Sequence, residues 1–137
     1  MGRVEADGGF WLELGLLILL FPFRFLAGVL LAAVLHECGH LLAIALTGGK
    51  VLRIELHAGG ARILTEPMGE MQELLCALAG PAAGLLTLAS WRAFPELAAA
   101  GLFQSAFNLL PIYPLDGGRA WRAARNICCK SRHSAVQ

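Results

Sequence analysis

Charge is what this sequence has least of. Acidic and basic residues make up 15% of its 137 positions, against 57% apolar residues. Ordinary soluble domains run at about 25% charged and roughly 45–50% apolar. Mean hydropathy is +0.63. Disorder is excluded for the bulk of the chain, because too much of it must be kept from water. A net charge of +1 gives no basic field, so nucleic acid is not an expected partner. Cysteine is scarce too. Cys38, Cys76, Cys128 and Cys129 are too few and too awkwardly spaced for a disulfide scaffold. The length fits a single domain spanning 1–137.

The few charges are unevenly placed. From Trp11 to Thr47 the only acids or fixed bases are Glu13, Arg24 and Glu37. A soluble helix of that length shows a polar stripe with a period of 3.6 residues; this stretch shows none and reads as lipid-embedded. About 20 apolar residues cross a bilayer, so 24–47 is long enough for one span. The preceding segment, 10–23, is short for a span. Pro22 marks either a turn between two helices or a kink in one long helix. Thr47-Gly48-Gly49 stops the helix. The alternation of Leu52, Ile54 and Leu56, with a turn at Gly59-Gly60, predicts a surface β-hairpin over 51–65. It is either a linker or an edge strand that pairs with an extended peptide. Further helices are expected at 68–93 and, broken by Pro111 and Pro114, at 96–118. A basic tail follows over 119–137. The expected fold is thus an all-α membrane protein of about four membrane helices, the first one short, with a small cytoplasmic β-hairpin between the second and third.

Lysine and arginine counts orient it. With the N-terminus inside, Arg3, Lys50, Arg53, Arg62, Arg119, Arg122, Arg125, Lys130 and Arg132 fall on the cytoplasmic side. Only Arg24 and Arg92 fall outside. The expected location is a cell membrane, bacterial by the resemblance below, with the site facing the cytoplasm. The basic tail is expected to touch anionic lipid.

The chemistry lies in the second helix. His36-Glu37-Cys38-Gly39-His40 matches H-E-x-x-H. Four residues are a little over one helical turn, so both imidazoles share a face and can hold one Zn²⁺. Glu37, one position round, can act as general base on water beside the metal. Ionisable groups deep in a membrane helix are costly and seldom lack a role. A catalytic zinc usually takes a third protein ligand. Glu66, Glu70 and Glu73 are possible by count; Asp116, after the broken helix and before Gly117-Gly118, is the better candidate. Two bland expectations are His57 as a surface histidine and Cys38 as packing.

These residues resemble the site-2 protease family of intramembrane zinc metallopeptidases (peptidase family M50). The resemblance rests on His36-Glu37-Cys38-Gly39-His40, Ala79-Gly80-Pro81, and Asn108-Leu109-Leu110-Pro111-Ile112-Tyr113-Pro114-Leu115-Asp116-Gly117-Gly118-Arg119. In layout it is most like the branch of stage IV sporulation protein FB. It covers roughly Leu26 to Arg119 and departs at Gly84, where the family usually has asparagine. The resemblance implies zinc, one per chain, on His36, His40 and Asp116, with Glu37 catalytic. It implies that Asn108 positions or polarises the scissile region, and that Gly59 and Gly60 are the glycine pair of a surface hairpin. Ile54, in the adjoining strand, is a candidate substrate contact. Expected partners are a transmembrane protein substrate, the lipid bilayer and a membrane regulatory protein. The expected function is regulated intramembrane proteolysis near the cytoplasmic face, of a sporulation or signalling factor. The alternative is a non-catalytic membrane adaptor or scaffold on the same fold. Retention of His36, Glu37, His40 and Asp116 together favours the enzyme. A metal transporter would not need a base beside the first histidine.

Overall fold

A computed structural model describes residues 3–134, with side chains described up to Ser131. The side chains of Arg132 and His133 therefore lie outside the described residues. The chain runs β1 (Arg3–Ala6), α1 (Gly8–Leu20), α2 (Phe23–Leu46), β2 (Val51–His57), β3 (Gly60–Thr65) and α3 (Glu70–Leu86). A 3₁₀ turn (Thr87–Ser90) extends α3, and α4 (Pro95–Asn108) and α5 (Asp116–Ser134) follow.

Local chemistry sets the boundaries. The Asp7 carboxylate caps α1, accepting from the Phe10 N–H at 2.7 Å. Phe21 is extended and Pro22 stands at the N-cap of α2, so α1 and α2 are two helices and not one kinked helix. Gly48, at φ 74°, takes the left-handed position just past α2. Pro95 opens α4 at its first helical position.

The hairpin belongs to a three-stranded sheet of order β1-β2-β3. β1 pairs parallel with β2, Val4 opposite Ile54. β2 pairs antiparallel with β3, His57 opposite Gly60. The expectation of a two-stranded hairpin is corrected: a four-residue strand was too short to show alternation. The second correction is the basic tail. It is a helix that begins at Asp116 and packs along α3.

Large apolar side chains do not form the interior. The buried apolar residues are mostly alanines, with Leu26, Ile44 and Cys76, while Leu12, Leu19, Phe23, Leu46, Leu86 and Phe103 are each 75–83% exposed. Two helices, Phe23–Leu46 and Glu70–Ser90, are long and apolar enough to cross a membrane, and only about a third of each such stretch is buried in the protein. A soluble core helix would be mostly buried. Most of the surface of these two stretches faces outward, as in a membrane protein. Of the four expected membrane helices, these two pass by length and composition. α1 and α4, at 13 and 14 residues, reach only about 20 Å at ~1.5 Å per residue, short of a ~30 Å hydrocarbon core.

Small residues bring the helices together, as expected without a hydrophobic drive between them. A Cβ on Gly28 would lie 3.0 Å from the α4 backbone at Glu96 and Leu97. One on Gly39 would press on Ala79 and Ala83 of α3, and one on Gly84 would fall on the Ser105 hydroxyl of α4. Gly84 thus stands at a helix crossing that an asparagine would block. We expect Gly84→Val to destabilise the protein by about 1–3 kcal/mol, the usual range for overpacking. Gly15→Ala, in open space on α1, should be neutral or stabilising by up to ~1 kcal/mol. Thermal denaturation in detergent checks both.

Candidate metal centre

The i, i+4 spacing on α2 puts His36 and His40 on its inner face, 2% and 5% exposed. Asp116, the first residue of α5 and 6% exposed, meets them there. Its Oδ2 lies 3.1 Å from Nε2 of each histidine, and the two Nε2 atoms are 3.2 Å apart. No other group of three potential metal ligands converges in this way among the described residues.

The donor set fits a cation. Nδ1 of His40 lies 2.8 Å from the Cys76 carbonyl oxygen. A carbonyl only accepts, so Nδ1 carries a proton and Nε2 is left facing inward as the candidate ligand atom. It faces a second imidazole nitrogen and a carboxylate oxygen, a donor set of the kind that can hold zinc. A tetrahedral zinc with bonds of ~2.0–2.1 Å places its ligand atoms about 3.3–3.4 Å apart, close to the observed separations. Nδ1 of His36 is buried without a hydrogen-bond partner, so on that side the ring is held by packing alone.

Glycines make the room. A Cβ on Gly80 would coincide with the His40 ring, which accounts for Gly80 in the Ala79-Gly80-Pro81 run. Gly117 and Gly118 pack against the backbone of Leu109 and Ile112, where a Cβ would clash. Neither has a positive φ, so they serve close packing of the first turn of α5 and not a sharp reversal of the chain.

A cavity of about 330 Å³ opens beside the three ligands. Glu37 is half-buried in its wall. Asn108 also lines it, its Nδ2 donating to the Gln104 carbonyl at 3.0 Å. Gly59 and Gly60 line the opposite side with Ala61, Arg62, Ile63 and Thr65 of β3. Ile54 is not among the lining residues. It belongs to the central strand, whose two edges are taken by β1 and β3, so β2 cannot accept another strand. The outer edges among the described residues are those of β1 and β3, and β3 is the one that lines the cavity. Of the glutamates counted as alternative ligands, Glu66 pairs with Lys50, Glu70 with Lys130 and Glu73 with Arg119; none joins the centre.

Four features escaped the sequence reading. Arg119 reaches both Glu73 and Asp116; its i+3 spacing from Asp116 was a usable signal once 116–134 is seen as helix. The Cys76 carbonyl left no side-chain signal. His57, expected as a plain surface histidine, lines the cavity and lies 2.9 Å from Asp7 and 3.3 Å from Glu55. The Gly59 N–H donates to Glu13 at 2.6 Å. The hairpin tip is thus strapped to α1, which accounts for an acid in that apolar helix.

No protein-family model matches the chain, and no curated protein matches it. Among solved structures it is similar to the Site-2 Protease from Methanocaldococcus jannaschii, with a TM-score of 0.73 and 28% sequence identity, covering 90% of this chain and 68% of that one. The fold is that of a site-2 protease. Coverage of that extent takes in most of the elements described above. It supports the intramembrane protease family expected from the motifs.

The geometry can be checked at two points. Gly80→Ala should push the His40 ring aside and lower bound zinc several-fold in metal analysis of purified protein, with helix content kept. The hydrogen bond from His57 holds the Asp7 carboxyl below its ordinary 3.8. The bonds to Asp7 and Glu55 hold the His57 imidazole above 6.5. The strap is therefore fully formed below pH ~6.5 and weakens as pH rises through the raised His57 value. At the acid end it is lost as pH falls through the lowered Asp7 value. NMR titration should find the His57 pKa above 6.5 and displaced towards it in Asp7→Asn.

Proposed function

We propose that the chain is an intramembrane zinc metalloendopeptidase that hydrolyses a peptide bond of a membrane-embedded protein near the cytoplasmic face. The observation that carries this reading is the convergence of His36, His40 and Asp116 beside a cavity that also holds Glu37. Zinc held by that set supplies Lewis acidity for peptide hydrolysis.

The chain's own groups supply the rest. Glu37 takes a proton from the attacking water and returns one to the leaving amine. The Asn108 side chain, anchored on Gln104, offers polar atoms to the scissile region. The unpaired edge of β3 runs along the cavity, where an extended peptide could add as a strand. A helical substrate hides its carbonyls in its own hydrogen bonds, so it must be drawn out before cleavage. Glu37 and the ligands are shielded from lipid by α3, α4 and α5, as irregular and polar groups at membrane depth require.

Sidedness supports a cytoplasmic site. The sheet, the start of α3 and the end of α5 lie together, since Lys50 pairs with Glu66 and Lys130 with Glu70. At the far end Arg24 pairs with Glu96. Basic residues concentrate on the sheet side, which marks the cytoplasm. Lipid and a transmembrane substrate are the implied partners. A regulatory membrane partner, a bacterial source and a role in sporulation or signalling rest on the sequence motifs alone.

The test is zinc content beside cleavage of a transmembrane reporter. The wild type should hold about one zinc, as the three-ligand set implies. Asp116→Ala should lose it. Glu37→Gln should keep it while cleavage falls at least ~10²-fold, the range for loss of a general base. Equal zinc in wild type and Asp116→Ala would place the third ligand elsewhere. No zinc in a folded wild type would leave a scaffold.

A further inference from the structure

We infer that Arg119, braced by Glu73, is a positioning residue of the metal centre: it holds one oxygen of Asp116 so that the other faces the two imidazoles. The inference rests on the metal-site reading above.

A carboxylate turns easily about its last bond and can offer a cation either oxygen or both. Here the two oxygens have different partners. Oδ2 is 3.1 Å from both Nε2 atoms. Oδ1 faces Nη1 of Arg119 at 3.4 Å. Arg119 lies three residues on along α5, on the same face. Its Nε donates to Glu73 Oε1 at 2.9 Å, across on α3. The side chains of Asp116, Glu73 and Arg119 are 8%, 22% and 28% exposed, so solvent screens this chain of charges only in part.

The residue type suits the task. A guanidinium presents Nε–H and Nη–H in a rigid plane and can hold two carboxylates at once; a lysine has a single nitrogen. The arginine also brings positive charge to a cavity wall that carries the carboxyl groups of Asp116 and Glu37. Outer partners of metal ligands are typically worth 10–100-fold in metal affinity. The same two helices make a second polar contact farther from the cavity, where Glu70 takes Asn126 at 3.1 Å and Lys130 at 3.7 Å. That contact separates positioning from helix docking.

The experiment is zinc affinity by chelator competition in detergent, together with the visible absorption of the cobalt-loaded protein. Arg119→Gln should weaken zinc about 10–100-fold and alter the cobalt bands. Glu73→Ala should act in the same direction but less, and Arg119→Lys should fall between wild type and Arg119→Gln. Glu70→Gln should change neither readout. If Arg119→Gln does not fold, Glu73→Ala and Arg119→Lys carry the test. Wild-type affinity and spectrum in the folded Arg119 and Glu73 variants would overturn the inference, while loss of zinc in Asp116→Ala would leave the metal site standing. Equal weakening in Glu70→Gln would reduce Arg119 to a helix contact and overturn it as well. A wild type that binds no zinc would overturn the site reading itself.

Discussion

Three electron-rich atoms meet in the interior of an apolar helix bundle, and most of the structure is arranged to make that tolerable. Nε2 of His40, Nε2 of His36 and Oδ2 of Asp116 lie 3.1–3.2 Å from one another. Burying such polar groups costs free energy unless they are partnered. The cluster persists because each group arrives on a rigid element and because outer contacts set its direction. The Cys76 carbonyl fixes the tautomer of His40, and the first turn of α5 delivers Asp116.

Close approach of helices follows from that demand. α2 must bring two imidazoles against α3, and Gly39 and Gly80 let it do so. α4 must close the far side, and Gly84 with Ser105 lets it approach. Bulky apolar residues are then free to face lipid, which needs no complementarity from the protein. The interior is consequently built of alanine, glycine and the metal ligands, and packing and chemistry share the same few positions.

The sheet answers a different requirement. The proposed hydrolysis at membrane depth would need water and an extended substrate, and the cavity offers a wall for both. β1 closes one edge of β2 and β3 closes the other, and of the two outer strands β3 is the one that lines the cavity. The strap from Asp7 and Glu13 to the hairpin tip couples α1 to that wall. Charges on α1 thus have a structural reason within a segment otherwise composed for lipid.

The sequence by itself determined the membrane setting, the H-E-x-x-H helix and its i, i+4 geometry. Those signals are local: composition over twenty residues, and a spacing within one helix. It also singled out Asp116, because an acid beside two glycines at the end of a proline-broken apolar helix is costly to keep near the membrane unless it binds something. Tertiary structure brought Asp116 against the two histidines and gave Glu66, Glu70 and Glu73 basic partners away from them. It also decided that α5 is a helix, that β1 joins the sheet and that Ile54 lies away from the cavity. A four-residue strand and a basic helix owe their form to partners about fifty residues away, Ile54 opposite Val4 and Glu70 beside Asn126. Contacts of that range leave no period in the sequence, because the free energy that orders them is supplied by packing and not by the segment's own propensity.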